Sequence, residues 1–316
     1  MGTAMIKVTV ADIRQVAPMI REFTFEAVDS VLPCFSPGSH IMVTMEHEGK
    51  CIRNAYSLCS DPFDSSSYKI AVRLQERSRG GSAFMHEHVK VGDSLSISTP
   101  VNYFVPDWRA KKHVLIAGGV GITPFLSYLY AFERQQLDFD LHYLFRSSQT
   151  GAYHQQLADK LGASYSSYDS DQSQRASINE ILDKQPIGTH VYVCGPESLI
   201  NDVEQTAKAS GWPQSHIHYE VFAAPKPGKP FIAKINSSGM EIEVGPETSL
   251  LEALEAANVN VPNLCRGGVC GQCYTEVLSG EIEHRDNYLS DAEKASQKCL
   301  LPCVSRAVST HLTLGF

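Results

Sequence analysis

Cys265, Cys270 and Cys273 lie in the run Cys265-Arg266-Gly267-Gly268-Val269-Cys270-Gly271-Gln272-Cys273, a C-x4-C-x2-C spacing, and Cys299 and Cys303 follow at long range. Three thiolates on one tight loop with a distant fourth can hold a 2Fe-2S cluster. Such a loop must fold around a small inorganic core, and Gly267, Gly268 and Gly271 are expected to supply positive φ angles and close backbone approach. A structural zinc site would instead favour two separate C-x2-C pairs.

A second kind of chemistry is borne by backbone rather than side chains. Val114-Leu115-Ile116-Ala117 is wholly apolar, as in a strand buried on both faces of a parallel sheet, and it runs into Gly118-Gly119-Val120-Gly121-Ile122-Thr123-Pro124. A helix through Phe125 to about Arg134 follows, and strand, glycine loop and helix start together can cradle a pyrophosphate. The run is not G-x-G-x-x-G, because Pro124 replaces the third glycine, and a proline in the first helical turn sacrifices no intrahelical bond. Gly80-Gly81, ahead of a short helix at Ser82 to Val89, is a second candidate phosphate seat. Cys194-Gly195-Pro196 ends another apolar strand, where open α/β sheets bind ligands; an isolated Cys194 would otherwise read as a buried core thiol.

These features need three kinds of scaffold. Up to about Val105, short alternating strands at 6–10, 21–25, 40–45, 68–73 and 94–98 predict a small antiparallel barrel. From His113 the pattern changes to strand and helix alternation, with strands at 114–117, 141–145, 164–166, 190–194 and 216–222, predicting an α/β domain with a parallel sheet. Ala223-Ala224-Pro225-Lys226-Pro227-Gly228-Lys229-Pro230 reads as an extended, semi-rigid linker. Beyond it, two strands, a helix opened by the capping box Ser249 to Glu252, the cysteine loop, a strand, a second capping box at Ser290 to Glu293 and final strands near Leu300 and Leu312 predict a β-grasp module. The expected multidomain division is 1–108, 109–224 and 225–316.

At 316 residues the chain is long enough for two or three domains, and 43% hydrophobic and 20% charged residues are those of a soluble globular protein. A net charge of −8 argues against nucleic acid or anionic membrane as a partner. The N-terminus lacks the blocks of a signal peptide, and no apolar run reaches spanning length. Nine cysteines without a disulfide framework fit a reducing cytoplasm. No compact His, Ser and Asp constellation is present, so no catalytic side chain is assigned, and the twelve histidines are read as surface or packing residues.

The whole chain resembles the phthalate dioxygenase reductase family, in which a flavin barrel, a nicotinamide-nucleotide domain and a plant-type ferredoxin follow one another. The likeness rests on Arg53-Asn54-Ala55-Tyr56-Ser57-Leu58, on Ser78-Arg79-Gly80-Gly81-Ser82, on Gly118 to Pro124, on Cys194-Gly195-Pro196 and on Cys303-Val304-Ser305-Arg306. Within the family it is most similar to carnitine monooxygenase reductases, a likeness that includes His284-Arg285-Asp286. The resemblance implies that Tyr56 and Ser57 line the flavin, with Arg53, Asn54, Ala55, Ala71, Val72 and Arg73 around it. Because Asn54 occupies the place of the family's arginine, the flavin phosphate contact is assigned among Arg53, Arg79, Gly80, Gly81 and Ser82. Gly118, Gly119, Gly121, Ile122, Thr123, Pro124, Cys194, Gly195 and Pro196 would serve the nicotinamide nucleotide, with Glu220 and Phe222 against the flavin ring. Cys265, Cys270, Cys273 and Cys303 would be the cluster ligands, leaving Cys299 as a small apolar residue on the strand entering the loop.

The implied cofactors are FMN, a 2Fe-2S cluster and NADH, and the implied partner is a Rieske-type terminal oxygenase for carnitine or a related methylamine. NADH yields two electrons as hydride whereas the cluster accepts one at a time, so a flavin must stand between them. Arg146-Ser147-Ser148 leaves room for the 2′-phosphate of NADPH. Other readings differ in class: a reductase serving a P450 or a soluble ferredoxin, or an iron-sulfur sensor, which would have no use for the Gly118 to Pro124 loop. A monomer is expected for the isolated protein.

Overall fold

The computed structural model describes residues 5–47, 49–75, 80–183, 185–222 and 226–316, and the chain forms two compact units that meet at residues 222 and 223. The first unit opens with β1 (Met5–Ala17), β2 (Ile20–Ala27), β3 (His40–His47), β4 (Lys50–Ser57), β5 (Tyr68–Arg73), the helix α1 (Gly81–Glu87) and β6 (Ser94–Ser98). The strands form one antiparallel sheet in the order β4-β3-β6-β1-β2-β5, and a bridge between Leu58 and Ile70 brings its two edges together as a barrel. Alternation drives this closure: Phe23, Phe25, Ile41, Val43, Met45, Ile70 and Val72 turn inward to one buried core.

The same unit continues with β7 (Lys112–Gly118), α2 (Thr123–Gln135), β8 (Phe139–Phe145), α3 (His154–Leu161), β9 (Tyr165–Asp169), α4 (Ile178–Leu182), β10 (Thr189–Gly195), α5 (Glu197–Ala209) and β11 (Ile217–Val221). All these strands are parallel in the order β11-β10-β7-β8-β9, so the direction of winding reverses between β7 and β10. Val114 and Ile116 face one apolar cluster, while Leu115 and Ala117 face another that also contains Cys59 and Ala71 of the barrel side. The barrel and the parallel sheet therefore share a core.

The second unit contains β12 (Phe231–Ile235), β13 (Glu241–Val244), α6 (Leu250–Ala256), β14 (Thr275–Ser279), β15 (Ile282–Glu283), α7 (Asp291–Ser296), β16 (Cys299–Leu300), β17 (Arg306–Ala307) and β18 (His311–Leu314). Its main sheet runs β13-β12-β18-β14-β16, with β12 and β18 parallel, and has a core of its own. Both expected capping boxes form, at Ser249 with Glu252 and at Ser290 with Glu293. The proline segment differs from a free spacer. Arg285 donates to the carbonyls of Lys226 and Pro227, and Arg306 to that of Lys229 at 3.1 Å, so from Lys226 onward the segment belongs to this unit. Residues 223–225 of the linker lie outside the described residues. Among the described residues, no helix is long and apolar enough to cross a membrane.

Candidate functional site

On β4, strand alternation puts Asn54 and Tyr56 on one face and Arg53, Ala55 and Ser57 on the other. Asn54 Nδ2 donates to the Tyr56 hydroxyl at 3.3 Å, and burial pushes the Tyr56 phenol up to about 12, so it stays protonated. A Cβ on Gly81 would stand 2.1 Å from Asn54 Nδ2, and Gly80 takes φ 108 with its open side against Ile52. The Gly80-Gly81 turn is thus seated on β4 beside Asn54, whereas Arg53 belongs to the opposite face. Ser82 is buried, and its hydroxyl accepts from Gln75 N at 3.2 Å. Arg79 lies outside the described residues.

Ala71 and Arg73 share one face of β5, opposite to Val72, which is in the barrel core. Ala71 packs in the same apolar cluster as Ile122 and Cys194. At the winding reversal, Gly118 and Gly121 are required by packing: a Cβ on Gly121 would meet Cys194 O at 2.1 Å, and one on Gly118 would meet Pro196 Cδ at 2.7 Å. Gly119 alone of the three has positive φ, at 55°. Thr123 Oγ1 donates to Val120 O at 2.9 Å, and Pro124 occupies the first turn of α2. Glu220 pairs in register with Cys194 on the neighbouring strand, and Phe222 is exposed. Burial drives the Cys194 thiol well above its ordinary value and the Glu220 carboxyl up to about 8, so both carry their protons at neutral pH.

Beyond the ends of β8 and β9 lies a cavity of about 640 Å³, lined among others by Arg14, Ser148, Asp169 and Gln172. Asp169 accepts from Asp171 N at 3.0 Å and from Gln172 Nε2 at 3.2 Å. Arg146 is exposed at the end of β8, and its carbonyl accepts from Asp171 N at 3.0 Å.

In the second unit the thiols form two pairs. Cys273 donates to Cys303 Sγ at 3.4 Å, both residues 2% exposed, while Cys265 and Cys270 are hydrogen-bonded to each other and less buried. Among the described residues, no three His, Cys, Asp or Glu side chains are placed to hold one metal ion. Two thiol pairs suit a two-iron cluster, which would take four cysteine thiolates. Gly267 N donates to Cys265 Sγ at 3.4 Å and Gln272 N to Cys270 Sγ at 3.5 Å, the kind of bond that favours thiolates. The expected positive φ angles hold for Gly268, at 75°, and Gly271, at 70°, but not for Gly267; Arg266 adopts φ 51 instead.

Arg266 tolerates that backbone because its guanidinium is locked in two 2.8 Å bonds to Glu255 of α6. A Cβ on Gly268 would press on Val304, and one on Gly271 on the ring of Tyr288. Behind the loop, buried Asp286 accepts from Leu289 N at 2.9 Å and Ser305 Oγ at 3.3 Å. Cys299 is buried on β16, opposite Glu276. The Arg266 and Glu255 lock escaped sequence reasoning, since nothing in the two residue types distinguishes it from a surface pair before the fold is known.

Several buried polar atoms have no hydrogen-bond partner, among them Ser57 Oγ, Glu220 Oε2 and Arg73 Nε. Native proteins rarely leave such atoms unmet. Their presence at the positions assigned to flavin fits a polar ring there, as the thiol pairs fit a cluster.

Family models match three successive stretches of the chain. Residues 7–105 match the oxidoreductase FAD-binding domain family, residues 97–217 the N-terminal domain of the dimethylamine monooxygenase subunit DmmA-like family, and residues 233–308 the 2Fe-2S iron-sulfur cluster binding domain family. The heme-dependent oxidative N-demethylase beta subunit of Ectopseudomonas mendocina is 49% identical over 99% of both chains. A carnitine monooxygenase reductase subunit of Acinetobacter baumannii is 41% identical over 98% of both. The solved structure of phthalate dioxygenase reductase superposes with a TM-score of 0.85 at 33% identity, covering 99% of this chain and 98% of that one.

Proposed function

This chain belongs to the family of flavin and 2Fe-2S oxygenase reductases that includes phthalate dioxygenase reductase, and on that premise we propose that it draws electrons from NADH through FMN to the cluster and delivers them to an oxygenase acting on an N-methylated amine. The single observation that supports this most is the pairing of two devices in one chain: a glycine-packed nucleotide loop at a sheet reversal and a four-thiol loop in a unit with its own core. When bound, the flavin would supply a centre able to take one hydride, two electrons, from NADH and pass them one at a time to the cluster. The division of labour follows 1–108, 109–224 and 225–316.

The residues have distinct tasks. Gly118 and Gly121 let the backbone of the nucleotide loop lie against Cys194 and Gly195, so a dinucleotide pyrophosphate can reach the amides at the start of α2. Asp169 supports NADH, because a carboxylate lining the cavity at the end of β9 accepts from a ribose 2′-hydroxyl and repels a 2′-phosphate. Ser57 and the protonated Glu220 offer hydrogen bonds at the flavin ring, with Tyr56 beside Ser57 on β4 and Phe222 at the end of the unit. Asn54, Gly80, Gly81 and Ser82 hold the single phosphate of FMN. Cys265, Cys270, Cys273 and Cys303 hold the cluster.

For the electron acceptor, the family resemblance supports a Rieske-type oxygenase, and the 41% identical relative, named carnitine monooxygenase reductase subunit, supports carnitine or a related methylamine as its substrate. A haem-dependent N-demethylase is a second reading, favoured by the 49% identical relative. One reconstitution tests the scheme. The purified protein, its flavin identified by chromatography, is combined with a Rieske and with a haem oxygenase component, and NADH or NADPH and N-methylated amines are offered. Release of FMN, preference for NADH and coupled demethylation with one component are expected; FAD, NADPH preference or turnover with neither component would each overturn the corresponding part.

A further inference from the structure

His40 opens β3 and stands directly opposite Ser57, the last residue of β4. The backbone N–H and C=O of His40 are both committed to Val101 on its other side, at 2.9 and 3.0 Å. The His40 and Ser57 pair is therefore of the non-hydrogen-bonded kind, in which side chains of antiparallel neighbours stand closest, with Cβ atoms about 4.5–5.5 Å apart. Both residues are buried, 6% and 4% exposed. Yet neither imidazole nitrogen of His40 has a hydrogen-bond partner, and neither does Ser57 Oγ.

A buried polar atom left without a partner is a cost that folded proteins seldom carry. Three of them on one sheet face, at one cross-strand pair, are hard to explain by packing: a Phe and an Ala would fill the same space without that cost. They are explained if a third polar group meets them. Burial lowers the His40 imidazole to about 4, so at neutral pH it offers one donor and one acceptor without adding charge.

We propose that His40 is a further flavin-contacting residue, its imidazole and the Ser57 hydroxyl together forming a hydrogen-bonding edge for the heteroatoms of the ring. This rests on the reading that Ser57 lines the flavin. Tyr103 flanks the imidazole, its ring centroid 6.1 Å from that of His40.

The variants His40→Phe, His40→Gln and Ser57→Ala in the full-length protein test the assignment by flavin affinity, flavin reduction potential and apoprotein melting temperature. His40→Phe keeps the volume and the aromatic neighbour but removes both nitrogens. It is expected to weaken flavin binding about tenfold, the loss of one buried hydrogen bond, while leaving the apoprotein as stable as the parent or more so. His40→Gln should recover part of the affinity. If the reduced flavin is the form held more tightly by His40, a tenfold preferential loss lowers the two-electron potential by about 30 mV. A purely structural His40 would show the reverse pattern: a lowered apoprotein melting temperature with affinity and potential unchanged, and that result overturns the proposal. If Ser57→Ala weakens flavin binding and His40→Phe does not, the inference alone falls; if neither does, the placement of the flavin at Ser57 falls with it.

Discussion

Three of the four thiols proposed to hold the cluster come from the nine residues Cys265 to Cys273, whereas the polar atoms assigned to flavin and nucleotide come from β3, β4, β5, β10 and β11, strands scattered through the whole first unit. The two regions also meet their geometric demands differently. The cluster loop obtains its curvature from the local positive φ of Arg266, Gly268 and Gly271, fastened by the Arg266 bonds to Glu255. The nucleotide loop obtains its position from non-local contact, with Gly121 against the Cys194 carbonyl and Gly118 against Gly195. A site that folds locally tolerates changes elsewhere in the chain and is destroyed by changes within it. A site that two strands assemble is sensitive to any atom that holds them apart.

The largest expected effect breaks the local site alone. Cys303→Ser should lose the cluster and essentially all one-electron delivery, while Cys299→Ser, at a buried position on β16 opposite Glu276, should keep both; iron content and visible absorbance decide. NADH oxidation by an artificial dye should continue in each variant, because it depends on the other unit. Equal iron loss in the two would remove the assignment of Cys303.

Next comes the assembled site. Gly121→Ala places a methyl group 2.1 Å from Cys194 O, where backbone faces backbone and neither side can rotate away. Forced shifts of this sort cost about 1–3 kcal/mol or more. The first unit should melt earlier and lose NADH oxidation, with the cluster spectrum unchanged. Unaltered NADH oxidation would show that the close approach is dispensable.

This contrast explains what the sequence made legible. The cysteine spacing, both capping boxes, the apolar strand at Val114 to Ala117 and the glycine loop are local patterns, each tied to one element. A local rule expects positive φ at Gly267 and not at Arg266, because the compensation for Arg266 lies on α6, out of reach of any local pattern. His40 bears no motif, and its relation to Ser57 exists only in the register of β3 with β4. The histidines read as surface or packing residues, and several of them pack on one another: His190 Nδ1 lies 3.0 Å from His218 Nε2, His190 stacks on His216, and buried His113 packs against Tyr192.

That cluster gives the smallest and most selective effect. Burial, with the neighbouring imidazoles as a second cause, lowers His113 and His218 to about 4 and moves His190 in the same direction. Folded values below the ordinary 6.5 mean that the unfolded chain binds protons more readily. The stability these groups contribute is therefore complete above about pH 6.5 and is lost as pH falls toward 4. Between pH 7 and 5 the melting temperature of the first unit, followed by flavin fluorescence, should fall more than that of the second, followed by cluster absorbance. Parallel loss in both units would contradict this.

Division of labour between the two units is tested most directly by a chain ending at Ala224. Each unit owns a buried core, and Arg285 and Arg306 fasten the residues after Pro225 to the second unit, so the cut removes one unit whole. The measurement is the rate of NADH oxidation with ferricyanide beside the rate of electron delivery to the oxygenase, truncated against full-length. A ferricyanide rate near that of the full chain, with delivery to the oxygenase almost gone, is the predicted result. If the truncated protein still drove the oxygenase well, the flavin would be the direct donor and the cysteine loop would not be the exit for electrons.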